Sequence, residues 1–212
     1  MEENVNKKDI KPYKTIKIDN LMHSIEEKDP YTKSHSDRVS KYCVLIGKKL
    51  GLSDDDLNIL EVGGLFHDIG KIDTPDNILF KKTKLDNTEY EKMKQHTLNG
   101  VNTLSKDSMF NDIIPIVLHH HEKFDGSGYP SNLAGNDIPI LARITAIADT
   151  FDAMTSNRTY RNALPLDTAK EEIRKCSGTQ FDPEIVSAFL DILENDYDKI
   201  KEIQNSIDNK NI

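Results

Sequence analysis

Five stretches of this chain carry apolar residues at three- and four-residue spacing, and a histidine or an aspartate continues or joins each stripe. No other feature constrains the fold as much, because this spacing gathers residues on one face of a helix. After Pro30, a stripe of Val39, Tyr42, Cys43, Ile46 and Leu50 has His35 one turn before it on the same face. In "DLNILEVGGLFHDIGK", Leu57, Leu60, Gly64 and Leu65 lead to Asp68, with His67 beside it and Lys71 four residues beyond His67. In "EYEKMKQHTLNGVNTL", the stripe Met93, Thr97, Gly100, Val101 and Leu104 takes in His96. Ile113, Ile116 and Val117 point to positions 120 and 121, both histidine, and leave His119 outside. In "PILARITAIADTFDAM", Leu141, Ile144, Thr145 and Ala148 continue to Asp149 and then Asp152. No segment shows the strict alternation of a half-buried strand, so the expected fold class is all-α.

A lone histidine on an apolar face is ordinarily a core residue bonded to a carbonyl. A core holding His35, His67, Asp68, His96, His120, His121 and Asp149 would have to pair every one of their polar atoms. A metal supplies the missing partner. Five imidazoles and two carboxylates exceed the roughly four ligands of one tetrahedral ion, so two divalent ions are expected. Asp68 has two oxygens and adjoins His67, which makes it the natural bridge between ions about 3.5–4 Å apart. Nitrogen and oxygen ligands without thiolates suit Fe, Mn, Zn, Co or Ni.

At 212 residues the chain is long enough for one main domain with a sizeable core. A formal net charge of −8 argues against a broad nucleic-acid-binding face, though a small local basic site remains compatible with it. Cys43 and Cys176 show no C-x-x-C spacing and no signal peptide precedes them, so a reducing, cytoplasmic setting is expected. The longest apolar run, "IPILARITAIA", is too short for a bilayer and carries Arg143.

Residues 1–16 are charged, aperiodic and contain Pro12, and read as a flexible lead-in; the domain is expected over 17–205, with a frayed end at 206–212. Ser53 with Asp56 and Thr88 with Glu91 resemble capping boxes, while Asp137 before Pro139 and Asp182 before Pro183 pair an N-cap with a first-turn proline. The stretch from Lys123 to Asn136, with three glycines, is expected to be an ordered surface loop.

At these residues the chain resembles the HD-GYP domain, a bacterial branch of the HD phosphohydrolase superfamily. The matching stretches include "KDPYTKSHSDRV", "LFHDIGKID", "MKQHTLNG", "HHEKFDGSGYP", "IPILARITAIADTFDAMTSNRTYR" and "GTQFDP", in the family's order over about Leu21 to Leu190. The resemblance implies an HD-domain helical bundle with a Gly-Tyr-Pro loop and a metal site in its core, and no sensor or receiver domain on this stretch. It implies hydrolysis of cyclic di-GMP to linear pGpG, and in some members onward to GMP, with hydroxide supplied by a two-metal centre of iron or manganese. Carried over as ligands are His35, His67, Asp68, His96, His120, His121 and Asp149, the same residues the stripes select. Members with a third metal place a glutamate four residues before the first histidine; here that residue is Tyr31, which points to two metals and puts the second hydrolytic step in doubt.

Lys71 is expected to place an ammonium at the scissile phosphate. The resemblance assigns Arg158 and Arg161 to the second phosphate, which suits their planar donors. Asp152 is expected to orient a ligand or pair with Arg158, Tyr129 to stack on guanine or meet a partner, and His119 and His23 to be surface residues. The family's loop is implicated in contacts with GGDEF-type cyclases, and a homodimer is compatible with this reading. Two alternatives stand beside it: hydrolysis of another cyclic dinucleotide such as cyclic GMP-AMP, or of a simpler nucleotide, and a slow metal-bound docking module acting through the loop.

Overall fold

A computed structural model places residues 7–157 and 162–208. Eleven α-helices run through them: α1 (Lys7–Lys28), α2 (Pro30–Lys49), α3 (Asp54–Phe66), α4 (Asp76–Leu79), α5 (Asn87–Lys94), α6 (His96–Leu104), α7 (Ile114–His119), α8 (Ile140–Thr155), α9 (Leu166–Lys175), α10 (Pro183–Asn195) and α11 (Tyr197–Asp208). Among the described residues there is no strand, only an isolated bridge between Ser177 and Phe181. The all-α expectation holds. None of the helices is long and apolar enough to cross a membrane.

Helix ends follow local capping chemistry, with two departures from the sequence reading. Ser53 accepts a hydrogen bond from the Asp56 amide, and Asp182 accepts one from Glu184, each opening a helix where expected. The capping box near Thr88 lies two residues earlier: the Asp86 carboxylate accepts from the Glu89 amide, and Glu89 accepts from the Asp86 amide, both at 2.8 Å. Thr88 sits inside the first turn, where that reciprocal pair has already satisfied the free amides. Asp137 closes a short 3-10 turn, Gly135–Asp137, rather than capping α8. The first turn of α8 is built instead on the Pro139 carbonyl, which accepts from Ala142 and Arg143. Helix α1 starts at Lys7, inside the stretch read as a lead-in, and α11 runs past residue 205 to Asp208. The first gains helix propensity from its four lysines, and the second only continues α11 by three residues.

Two apolar clusters share the interior. One joins α2, α3, α8, α9 and α10 through residues such as Tyr42, Leu60, Ile147, Phe151 and Phe189; the other packs Met22 and Ile25 of α1 against Phe66, Ile69, Leu104, Phe110 and Val117. Ile116 belongs to the first and Val117 to the second, and both Phe66 and Ile69 flank His67 and Asp68. The polar residues of interest therefore lie at the seam between clusters. Close approach there requires Gly70, because a Cβ at that position would sit 1.9 Å from the His96 carbonyl oxygen.

Candidate metal centre

Each side chain that converges at the seam is aimed by its own backbone. His67 follows the last turn of α3 and its Nδ1 meets the Gly64 carbonyl at 2.8 Å. His96 opens α6 with Nδ1 2.8 Å from the Met93 carbonyl, and His120 caps the end of α7 with Nδ1 3.0 Å from the Val117 carbonyl. A carbonyl at Nδ1 fixes the tautomer and leaves a lone pair on each Nε2; those of His96 and His120 lie 3.4 Å apart. Asp68 meets these nitrogens: Oδ1 lies 3.3 Å from His96 Nε2 and 3.8 Å from His120 Nε2, while Oδ2 lies 3.4 Å from His67 Nε2 and 3.9 Å from His35 Nε2. Asp149 closes the other side, 3.1 Å from His35 Nε2.

Two sets of ligand atoms result, each with its members within 4.8 Å of one another: Asp68, His96, His120 and His121, and separately His35, His67 and Asp68. Asp68 is common to both. The sequence-selected residues are thus brought together, and Lys71 joins them as an ion pair with Asp68 Oδ2. His67 Nε2 and Asp68 Oδ1 are buried with no hydrogen-bond partner. An orphaned imidazole nitrogen beside an orphaned carboxylate oxygen, each with a lone pair and neither with a donor, suits divalent cations and little else.

The electrostatics agree. Burial, reinforced by neighbouring imidazoles, pushes His120 well below its ordinary value and His121 down to about 3, and burial also depresses His96. These three are neutral and able to coordinate at neutral pH. Burial opposes ionisation of Asp68, but Lys71 and the imidazoles of His67 and His96 overcome it and hold the carboxyl well below the usual range. Burial also disfavours a charged His35, yet its bonds to Asp149 and Asp152 raise it to about 9.

Asp152 meets His35 and Arg38. Its Oδ2 receives His35 Nδ1 at 2.8 Å, while Arg38 grips both carboxylate oxygens at 2.6 and 3.0 Å. The pairing with Arg158 is outside the described residues, as are the placements expected of Arg158 and Arg161 and the side chain of Tyr31. Arg38 escaped the sequence reading, although its place three residues after His35 on α2 was a usable signal.

The loop after His121 is an ordered element. Its Phe124 and Asp125 amides bond the Gln180 and Thr179 carbonyls at 3.2 and 2.8 Å. The fully buried Glu122 carboxylate accepts from the Ser131 and Leu133 amides at 2.6 and 3.2 Å. Gly128 lies so close beneath that a Cβ would fall 2.3 Å from the Lys123 nitrogen. The Tyr129–Pro130 peptide is cis. This geometry stacks Tyr129 on His121, centroids 4.8 Å apart at 26°, with the Lys94 ammonium 5.5 Å from the tyrosine ring. Glu122 was also missed; asking what satisfies the amides of a long loop would have found it. His119 is not the surface residue expected: its side chain is 15% exposed and lies 3.5 Å from Glu122, outside the metal cluster. His23 is on the surface of α1 beside Glu27.

The family model of the HD domain matches residues 19–185. The chain is 41% identical over 180 residues to the cyclic di-GMP phosphodiesterase of Thermotoga maritima, covering 84% of this chain and 48% of that protein. It is 38% identical over 174 residues to the 3'3'-cGAMP-specific phosphodiesterase 2 of Vibrio cholerae, covering 81% of this chain and 33% of that protein. This chain thus spans between a third and a half of these relatives. Among solved structures, Bd1817, an HDG"Y"P protein from Bdellovibrio bacteriovorus, superposes with a TM-score of 0.63 at 22% identity, over 77% of this chain and 53% of that one. The fold, the convergent His and Asp residues and a family match over most of the length lead to one conclusion: the chain belongs to the HD domain family.

Proposed function

We propose that this chain is a metal-dependent phosphodiesterase that opens cyclic di-GMP to linear pGpG in the cytoplasm. One observation carries the reading: Asp68 is shared by two sets of ligand atoms, buried except for His121, and the sets include the unpartnered His67 Nε2 and Asp68 Oδ1. His35, His67, Asp68, His96, His120, His121 and Asp149 would hold two divalent ions, iron or manganese, with Asp68 common to both. Bound there, such ions supply hydroxide at neutral pH and neutralise charge on the phosphate oxygens.

The chain's own residues do the rest. Asp152 and Arg38 lock the ring of His35, so its Nε2 keeps one direction through turnover. Lys71 balances Asp68 and can turn its ammonium towards the phosphate as charge develops there. Arg158 and Arg161 bind the second phosphate in this reading. Tyr129 covers one face of His121, which makes it a wall of the site and leaves the loop's outer surface for a partner such as a GGDEF-type cyclase. Tyr31 stands where members with a third ion carry a glutamate, so the reading holds two ions and takes pGpG as the product, with onward hydrolysis to GMP as the alternative.

The similarity to a 3'3'-cGAMP-specific enzyme favours a second substrate, cyclic GMP-AMP. Chromatography of both dinucleotides incubated with the protein under manganese or iron separates the two readings. Accumulation of pGpG as the faster product supports cyclic di-GMP, faster loss of cyclic GMP-AMP supports the alternative, and two intact substrates beside a metal-loaded protein would leave a simpler nucleotide or the docking module.

A further inference from the structure

The cleft does not end at the metal ligands. A cavity of 180 Å³ bounded by His120, His121 and Asp149 is also lined by Thr150 and Gln180. The same two residues line a second, larger cavity of 420 Å³. Their side chains approach to 3.4 Å, so the two cavities are neighbours with this pair between them, one residue along α8 from Asp149.

The second cavity differs in chemistry from the first. Met154, Leu164 and Phe181 give it apolar walls, and Glu172 of α9 sets a carboxylate at its edge. Its volume is that of ordinary small-molecule pockets, about 300–1,000 Å³. Apolar walls with an acceptor at the rim suit a flat heterocycle that carries donors along one edge. Guanine has two adjacent donors, N1–H and the N2 amino group, which one carboxylate can accept together. Adenine offers one donor beside an acceptor nitrogen, which a carboxylate repels.

We propose that this cavity receives the second nucleobase of the cyclic dinucleotide and that Glu172 selects guanine there. The inference rests on the phosphodiesterase reading above. Glu172 is exposed and engaged only at the surface, with Lys175 one turn away at 3.0 Å, so turning to a base strands no buried charge.

The test exchanges the edge that Glu172 presents. Glu172→Gln replaces one acceptor by a donor, which matches adenine and mismatches guanine. With purified metal-loaded protein, kcat/KM on cyclic di-GMP should fall roughly tenfold or more, the discrimination usual for a two-bond base contact, while the preference shifts towards cyclic di-AMP. Thr168→Phe, which fills the same cavity, should raise KM for cyclic di-GMP. If the wild type cleaves cyclic di-GMP and both variants match it, the inference is overturned and the proposed function stands. If the metal-loaded wild type cleaves no cyclic dinucleotide, the function itself falls and the subsite with it.

Discussion

At the scale of the residue, the seven polar groups on apolar stripes were legible because periodicity tells which way a side chain faces. Arg38 could be placed near His35 by its spacing on α2, but its partner could not be read, since Asp152 arrives from a helix 114 positions away. The buried pair makes a sharp prediction. Arg38→Met leaves the Asp152 carboxylate buried and half-satisfied, so unfolding in denaturant should show a loss of roughly 3–5 kcal/mol. Metal affinity, followed by titration, should drop about 10- to 100-fold as His35 loses its support. Unchanged stability and affinity would mean the pair is idle. A second prediction concerns protons. In the metal-free protein His35 is raised above its ordinary value of 6.5 to about 9, whereas His96, His120 and His121 are depressed and already neutral. The stability that charged His35 contributes is therefore full below about pH 6.5 and lost as pH rises through about 9. A cation must displace that proton, so metal affinity strengthens with pH over the same window. Calorimetry in buffers of different ionisation heat should register about one proton released per chain at pH 7; none released would place His35 outside the metal's reach.

At the scale of the element, type was readable and boundaries were less so. Ser53 and Asp182 announced their helices because a side chain caps its own neighbours, a relation that lies wholly within a few residues. Thr88 misled because Asp86 offers the same chemistry two positions earlier with a better-placed glutamate. The loop after His121 was legible as a loop, yet the docking of its amides on residues 179 and 180 was not, because no local signal ties segments so far apart. Glu122 is its internal brace. Glu122→Gln removes one charge-assisted acceptor and turns an amide N–H towards a backbone N–H. Hydrogen exchange at Ser131 and Leu133 should accelerate roughly 10- to 100-fold, matching the worth of hydrogen bonds to a charged group. Protection equal to the wild type would show that the contacts with residues 179 and 180 suffice.

At the scale of the whole molecule, two apolar clusters meet along a seam, and the seam is where a folded chain can least tolerate unpaired polar atoms. His67 Nε2 and Asp68 Oδ1 remain unpaired there in the protein alone. On the proposed reading divalent ions would complete the interior as well as the site, so a chelator should lower the melting temperature by as much as the bound ions stabilise the fold. Which helices pack together could not be read from the stripes, but the number of polar groups they carry inward raised the expectation of two ions before any distance was known. The central claim is a two-metal centre joined through Asp68. Elemental analysis of protein purified anaerobically, alongside Asp68→Ala, tests it most directly. A centre bridged by Asp68 requires about two transition-metal ions per wild-type chain and loss of both in the variant. One ion per wild-type chain, or two retained without Asp68, would contradict it.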